Sequence, residues 1–164
     1  MFNIFKVNGE KNIIALIISI LIAQGVGFLS GFLSMGGASA YNNFIKPNFS
    51  PPGWIFPVVW TILFFLMALA AYRIWMTYKS GIDVKKALIL YGIQLFLNFL
   101  WSIIFFRFRL YALAFLELLL LLVFILLTTF EFYRIDKPAA YLMIPYIAWV
   151  SFAGVLNYTI WMLN

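Results

Sequence analysis

The stretch KPNFSPPGWIFPVVW, residues 46–60, joins two long apolar segments and carries four of the chain's six prolines. Proline lacks a backbone N–H donor and disfavours helix in the residue before it, so Pro47, Pro51 and Pro52 keep this segment extended until a helix can begin. Ser50 precedes Pro51, as in a helix whose N-cap is followed by proline in the first turn. We therefore predict an ordered connector that leads directly into a helix.

The composition identifies an integral membrane protein. Hydrophobic residues make up 66% of the chain and charged residues 10%, whereas soluble domains carry roughly 25% charged residues. A bilayer core about 30 Å thick needs about 20 apolar residues per helix, and five windows are long enough. The predicted fold class is an all-α integral membrane protein, a five-transmembrane-helix bundle that forms one domain over residues 1–164. The predicted helices cover residues 13–33, 54–76, 87–106, 110–130 and 139–163, with residues 34–53 as a connector that acts as a lid.

Basic residues are distributed unequally between the two ends of this bundle. Eight of the 11 lie on the side of the N-terminus, namely Lys6, Lys11, Arg73, Lys79, Lys85, Lys86, Arg134 and Lys137, and the other three are Lys46, Arg107 and Arg109. The positive-inside rule therefore predicts an inside N-terminus and an outside C-terminus, in what we expect to be a bacterial cell membrane. Most of the basic residues behind the net charge of +6 then anchor the bundle at the membrane surface, and we expect no nucleic-acid partner.

The first apolar run could be mistaken for a signal peptide, because lysines precede it and Ala38-Ser39-Ala40 imitates a cleavage site. Signal-peptide cores are about 7–15 residues long, and this run is longer. We therefore expect a retained first helix.

The chain contains no cysteine and no histidine. Thiol chemistry, disulfides, the common zinc and haem ligands and a histidine-based triad are thereby excluded. We expect no metal site, no catalytic residue and no required cofactor. A bound porphyrin would be a ligand held without a His or Cys axial ligand.

The third predicted helix carries a polar stripe. Gln94, Asn98 and Trp101 differ by about 40° and 20° at 3.6 residues per turn, so they share one face. An unpaired amide in hydrocarbon costs several kcal/mol, which means that this face meets other helices or a polar cavity. Inter-helix hydrogen bonding and a ligand-binding wall both fit the stripe.

Glu117 lies within the leucine-rich fourth helix, about a third of the way from one end. A carboxylate inside a membrane is costly and usually faces the bundle interior. Two interpretations fit: structural hydrogen bonding, with Gln24 or Asn98 as partner, or the handling of a proton or ligand.

Other helix faces allow similar alternatives. Small residues at four-residue spacing on helix one fit internal packing or a dimer contact, and the aromatic side of helix five fits a pocket wall or a packed core. Residues near the end of helix two are predicted headgroup anchors, and the third connection offers two arginines that could attract an anionic ligand. The small residues of helix one are Ala23, Gly27 and Gly31, and the aromatic side of helix five has Trp149, Phe152 and Ala153. The predicted anchors are Arg73, Trp75 and Tyr78, and the two arginines are Arg107 and Arg109.

Three segments resemble, in order, the signature segments of the TspO/MBR family, the group of tryptophan-rich sensory proteins and translocator proteins of the peripheral benzodiazepine receptor type. They are the proline-rich stretch at 46–60, the run QLFLNFLWSIIFF at 94–106 and the run PYIAWVSFAGVLNYTIW at 145–161. The likeness spans about residues 41–161, while helix one is similar only in character.

This resemblance implies a five-helix bundle, commonly a homodimer, whose cavity opens toward the first connection. It implies a receptor or transporter-like protein that binds tetrapyrroles such as protoporphyrin IX and haem-type porphyrins, and benzodiazepine or isoquinoline-carboxamide ligands. By motif position, the pocket residues would be Tyr41, Pro47, Trp60, Phe64, Gln94, Asn98, Trp101, Trp149, Phe152 and Ala153. Glu117, which the residues themselves single out, is added to these candidates.

Two departures from the family pattern limit this transfer. Ala40 and Phe49 stand where many members carry tryptophan, which weakens the alternative of an enzyme that degrades porphyrin with light and oxygen. Tyr158 is followed by TIWMLN, which has no basic residue, so we do not predict specific sterol binding. A proton-coupled exporter that uses Glu117 is the remaining alternative.

Overall fold

The computed structural model describes residues 3–34 and 37–164, and side chains at positions 37 and 38 are not part of that description. The chain folds into helices joined by short connections. Their bounds are α1, Ile13–Leu33; α2, Gly37–Asn42; α3, Ile55–Tyr78; α4, Lys85–Ser102, continued by a π-helical segment at Ile103–Arg107; α5, Tyr111–Ile135; and α6, Lys137–Leu163.

Five helices of the described chain are long and apolar enough to cross a membrane: α1, α3, α4 with its π segment, α5 and α6. The predicted all-α membrane bundle is thus confirmed. Side-chain contacts link the end of α3 to the start of α6 and the start of α4 to the end of α5. We call this end of the bundle the N-terminal end, and the opposite end, which carries the connector, the connector end.

The helix after the connector does not begin where the sequence suggested. Its first residue is Ile55, its N-cap is Trp54, and the side chain of Trp54 makes no capping bond. The prediction that Ser50 caps this helix is therefore wrong. Pro57 occupies the first turn instead, where its missing N–H costs nothing.

A π-helical segment ends the fourth helical region. The backbone N–H of Phe108 donates to the carbonyl of Ile103 at 3.1 Å, and Arg109 adopts a left-handed conformation with φ of 54°. Such wide turns often occur at functional sites, since they shift the side chains that follow. Here the wide turn buries Phe105 and leaves Phe106 on the wall of a cavity.

Arg73 holds the N-terminal end together. Its side chain is 4% exposed and forms two bonds to Asp136, at 2.6 and 2.9 Å, while it also donates to the carbonyls of Ile4 and Lys6. Asp136 in turn caps α6 through the N–H of Ala139. The interpretation of Arg73 as a headgroup anchor is wrong, because this pair buries the guanidinium. Trp75 and Tyr78, the other two predicted anchors, are exposed.

The small residues of α1 pack internally. Ala23 is fully buried, and a Cβ added at Gly27 would lie 2.5 Å from Cε2 of Phe64. Internal packing is thus the correct alternative for these two positions. Gly31 differs from them, because a Cβ there would meet no atom within 4 Å. Gly36 lies outside the described residues, and α2 begins at Gly37.

Candidate functional site

A cavity of about 790 Å³ lies between α1, α3 and α4 at the connector end. We call it the connector cavity. Its lining includes Phe28 and Phe32 of α1, which are 77% and 71% exposed, so that the cavity also reaches the lipid-facing surface. Its volume falls within the range of about 300–1,000 Å³ that is typical of small-molecule sites.

Aromatic rings form much of the cavity wall. Trp60 and Phe64 lie one turn apart on α3, with ring centroids 5.7 Å from each other, as their spacing predicted. Across the cavity, Trp101 of α4 lines the wall and stacks on Phe105 at 5.2 Å and 22°. Trp60 therefore faces the bundle interior, where its ring also meets the edge of Tyr146 at 6.2 Å.

The polar stripe of α4 is buried against α6. Asn98 donates to the hydroxyl of Tyr146 at 2.8 Å, and this hydroxyl donates to Oε1 of Gln94 at 2.8 Å. The amide nitrogen of Gln94 contacts the sulfur of Met67 at 3.8 Å. Of the three stripe residues, Asn98 and Trp101 line the connector cavity, whereas Gln94 lies behind it as a support for Tyr146.

A second polar pair fixes the indole of Trp101. Its Nε1 donates to Oδ1 of Asn157 at 3.1 Å, and the amide nitrogen of Asn157 donates to the carbonyl of Tyr111 at 2.9 Å. The indole orientation is thus set by α6 and by the start of α5. Because these two hydrogen bonds hold the indole in place, its ring face is presented to the cavity at little further entropic cost.

The connector contributes Tyr41 to the cavity lining, where this residue is 2% exposed. The Tyr41 hydroxyl donates to the carbonyl of Pro51 at 3.1 Å, and Nζ of Lys46 donates to the Tyr41 carbonyl at 2.9 Å. Burial raises the pKa of the Tyr41 phenol. Tyr41 is therefore a neutral donor at physiological pH.

Two further contacts fasten the connector to the bundle. The backbone N–H of Ile45 donates to Oδ1 of Asn164 at 3.2 Å, and the Asn164 amide donates back to the Ile45 carbonyl at 2.9 Å. The ring of Phe44 packs against Phe105 and Tyr111 with centroids 5.8 and 5.4 Å away. The connector is thus attached to α6, to the π segment and to α5.

Several predicted site residues lie outside the lining of the connector cavity. Trp149 packs edge-on against Phe56 at 5.8 Å and beside Phe152 at 5.5 Å, while Ala153 is buried next to them. The indole nitrogen of Trp149 has no hydrogen-bond partner among the described residues. This group forms an aromatic layer between α3 and α6, and Pro47 of the connector, which is half-buried, does not line the cavity either.

Glu117 is separate from both groups. Its two carboxyl oxygens are buried, and neither has a hydrogen-bond partner among the described residues. The suggested partners are engaged elsewhere: Gln24 donates to the carbonyl of Thr61 at 2.9 Å, and Asn98 donates to Tyr146. The expectation of a hydrogen bond from either amide to Glu117 is therefore wrong.

The sequence analysis missed lining residues of two kinds and one residue, Tyr146, that lies behind the lining. Gly31 and Thr61 line the cavity, but their side chains carry no aromatic or charged signal. Phe106 lines it because the π segment shifts the register after Ser102, which a regular 3.6-residue period does not anticipate. Tyr146 lies behind the wall, and its place three residues before Trp149 in the sixth helix was the signal that could have identified it.

The connector cavity combines flat apolar walls with a small number of fixed polar groups. Indole and phenyl faces suit a planar apolar ligand, and the amide of Asn98 and the hydroxyls of Thr61 and Ser102 offer hydrogen bonds at its edge. Within residues 3–34 and 37–164, no cluster of metal-ligating side chains is present. The arrangement suits non-covalent binding of a planar amphipathic molecule.

Comparison with known proteins gives consistent matches along most of the chain. A profile of the TspO/MBR family matches residues 19–162. The chain is 40% identical to the tryptophan-rich protein TspO of Chlorobaculum tepidum, over 94% of this chain and 99% of the relative. It is 36% identical to the tryptophan-rich sensory protein of Cereibacter sphaeroides, over 92% of each chain, and 37% identical to the translocator protein of Bos taurus, over 84% of this chain and 83% of the relative.

Proposed function

Because the chain belongs to the TspO/MBR family, we propose that it is a membrane receptor or transporter-like protein whose connector cavity binds a planar, amphipathic tetrapyrrole. Protoporphyrin IX and haem-type porphyrins form the ligand class whose chemistry fits this cavity. Benzodiazepine and isoquinoline-carboxamide compounds are smaller planar ligands for the same site.

One observation carries this proposal: two indoles from different helices, Trp60 and Trp101, line one cavity together with the amide of Asn98. Stacked aromatic contacts contribute about 0.5–1.5 kcal/mol beyond the burial of area. The Asn98 nitrogen is held by Tyr146, and no described residue donates to its oxygen, so this oxygen can accept from a pyrrole N–H. The macrocycle is thereby both stacked and oriented.

A pair of glycine variants tests whether the ligand occupies this cavity. A Cβ at Gly31 enters open space on the cavity wall, whereas Gly25, on the same helix, has equally open space and does not line the cavity. In purified protein, protoporphyrin IX should quench tryptophan fluorescence with a saturable dependence. Gly31→Leu should weaken this binding at least tenfold, and Gly25→Leu should leave it unchanged. Equal affinities in the two variants would place the ligand elsewhere.

A second candidate function is proton-coupled export of a small molecule through Glu117. It is favoured by the buried carboxyl group, whose two oxygens lack a hydrogen-bond partner among the described residues. An unpartnered intramembrane acid is costly unless it binds a proton or a ligand. In liposomes, Glu117→Gln should abolish the pH dependence of uptake. Uptake that responds to pH equally in both proteins would remove this candidate.

The enzyme alternative, oxidative porphyrin degradation, has a direct assay. Protoporphyrin IX bound to the protein is illuminated under oxygen and the products are examined by mass spectrometry. Our proposal expects no product that depends on the protein. A product that requires the protein, and that disappears in Trp60→Phe, would favour the enzyme instead.

We further propose a homodimer with its N-terminus inside. The chain has no cysteine, so single cysteines can be introduced for labelling from either side of a sealed vesicle. Lys6→Cys and Asn48→Cys place exposed reporters at the N-terminal end and in the connector. An impermeant reagent added outside intact cells should label only the connector position, and the reverse pattern would overturn the orientation.

A further inference from the structure

A second cavity, of about 550 Å³, lies at the N-terminal end of the bundle. We call it the N-terminal cleft. It shares no lining residue with the connector cavity, and it lies between the first half of α1, the last turns of α3 and the first half of α4. Its lining residues are Asn12, Ile14, Ala15, Ile18, Ser19, Ile22, Ala71, Tyr72, Trp75, Leu88, Tyr91, Gly92 and Leu95.

The cleft exists because small residues border it. Gly92 of α4 has open space where a Cβ would lie, and Ala15 of α1 and Ala71 of α3 line the other walls. Ile14, which is 72% exposed, also lines the cleft, so the cleft opens toward the surroundings of α1. In a membrane-spanning bundle these surroundings are lipid chains.

The cleft has the length of one leaflet. Its α1 wall runs from Asn12 to Ile22, which is about 15 Å at 1.5 Å per residue, or half of a bilayer core of about 30 Å. Ile18 and Ile22, both more than half exposed, continue the stripe of Ile14 along this wall. The shape is that of a groove parallel to the helix axes, which is the direction of a lipid chain.

The polar groups of the cleft are largely used by the protein itself. Ser19 donates to the carbonyl of Ala68 at 2.7 Å, and the Tyr72 hydroxyl donates to the carbonyl of Phe5 and accepts from the N–H of Asn12. The buried hydroxyl of Tyr91 is the exception, since it has no partner among the described residues. A ligand that needs few hydrogen bonds, such as a hydrocarbon chain, fits these walls, and a tetrapyrrole with two carboxylates does not.

Lysines surround the cleft at the membrane surface. Lys11 directly precedes the cleft residue Asn12, and Nζ of Lys79 lies 5.8 Å from the ring centroid of Trp75, which lines the cleft. Lys85 begins α4, one turn before its first cleft residue. In the described part of the chain, none of these lysines forms a side-chain ion pair, unlike Lys86, which lies 2.6 Å from Glu131.

Two carboxylates share this surface. Asp83 accepts from the backbone N–H of Lys85 at 2.9 Å and so caps α4, and Glu10 is exposed beside Lys11. The three lysines outnumber these two carboxylates. Each basic residue near an anionic membrane surface raises the affinity for that surface about fivefold. A negatively charged headgroup is therefore favoured over a zwitterionic one.

We propose that the N-terminal cleft binds one acyl chain of an anionic phospholipid, with its phosphate among Lys11, Lys79 and Lys85. The chain lies along the isoleucine stripe of α1 and over Gly92. This site is separate from the connector cavity and does not depend on the function proposed for that cavity.

Trp75 provides a specific reporter, because it is the tryptophan that lines this cleft. Protein in phosphatidylcholine vesicles is titrated with small, increasing mole fractions of either phosphatidylglycerol or phosphatidylcholine, each with brominated chains. Brominated phosphatidylglycerol should quench the fluorescence lost in Trp75→Phe at severalfold lower mole fraction than brominated phosphatidylcholine. Equal quenching by the two lipids would mean ordinary contact with surrounding lipid and would overturn the proposal.

Two sets of variants complete the test. Gly92→Leu fills the groove and should abolish the phosphatidylglycerol preference, whereas Gly25→Leu, with equal open space outside the cleft, should retain it. The triple variant Lys11→Gln, Lys79→Gln, Lys85→Gln leaves the groove open. Its Trp75 fluorescence should be quenched equally by the two brominated lipids. Preference retained in Gly92→Leu or in the triple variant would contradict the assignment. Neither set should change protoporphyrin affinity, so this test fails or succeeds independently of the first cavity.

Discussion

The amide nitrogen of Asn98 donates to the hydroxyl of Tyr146 across 2.8 Å, and this bond joins α4 to α6 directly behind the cavity wall. Tyr146 is fully buried and donates onward to Gln94, so its single hydroxyl serves both amides of the stripe. One side of Asn98 is thereby fixed to the bundle, and the rest of its amide remains available to the connector cavity.

Tyr146→Phe should destabilise the protein and weaken ligand binding together. The variant removes one oxygen and leaves Asn98 and Gln94 short of a partner, which costs about 1–3 kcal/mol. Thermal unfolding in detergent measures the loss, and a porphyrin titration measures the affinity. Tyr133→Phe serves as the control, since Tyr133 is exposed. A Tyr146→Phe protein as stable as this control would refute a structural role for the network.

Arg73→Met should destabilise the protein by about 3–5 kcal/mol, because it removes a buried guanidinium and leaves Asp136, which is 13% exposed, without its partner. Lys86→Gln is the matched control: it also breaks a 2.6 Å ion pair, but Lys86 is 71% exposed, so the cost should stay below about 1 kcal/mol. The double variant Arg73→Met, Asp136→Asn should recover part of the loss, since asparagine can still cap α6. Equal losses for Arg73→Met and Lys86→Gln would contradict this account.

Gly27→Ala should cost about 1–3 kcal/mol by overpacking, since the new Cβ would lie 2.5 Å from the Phe64 ring. The ring must then move toward the cavity, so porphyrin affinity should fall as well. Gly25→Ala, which meets no atom within 4 Å, should be neutral or slightly stabilising. Unfolding temperatures of the two variants give the comparison, and identical values would exclude close packing at Gly27.

Tyr41→Phe should speed ligand release with little effect on global stability. The substitution removes the bond from the Tyr41 hydroxyl to the Pro51 carbonyl, which is worth about 0.5–1.5 kcal/mol, so the connector should open about twofold to tenfold more often. Stopped-flow displacement of bound porphyrin measures the release rate. An unchanged rate would indicate that the connector does not act as a lid.

The sequence was sufficient for the bundle because span length and hydropathy are local properties. The five predicted windows lie within five residues of the observed helix ends, the largest difference being α5, which continues to Ile135, and the stripe of Gln94, Asn98 and Trp101 is buried as its spacing required. These predictions needed only the helical period and the high cost of polar groups in hydrocarbon.

Two of the failures required knowledge of distant contacts, and the third, at Ser50, was local. Arg73 was interpreted as an anchor because nothing local reveals that Asp136, 63 positions later, folds beside it. Ser50 had a suitable local pattern for a cap, but the next helix begins only at Ile55. The partition of the predicted site residues is likewise set by packing, which brings Trp60 to one cavity and Trp149 to a neighbouring aromatic layer.

Protoporphyrin IX titration of two tryptophan variants of α3 tests the central claim most directly. Trp60 lines the connector cavity, whereas Trp54, which caps the same helix, is 69% exposed and outside the lining. We predict saturable binding to the unmodified protein, at least tenfold weaker binding to Trp60→Leu, and unchanged binding to Trp54→Leu. Equal affinity in the two variants, or no saturable binding to the unmodified protein, would contradict the account.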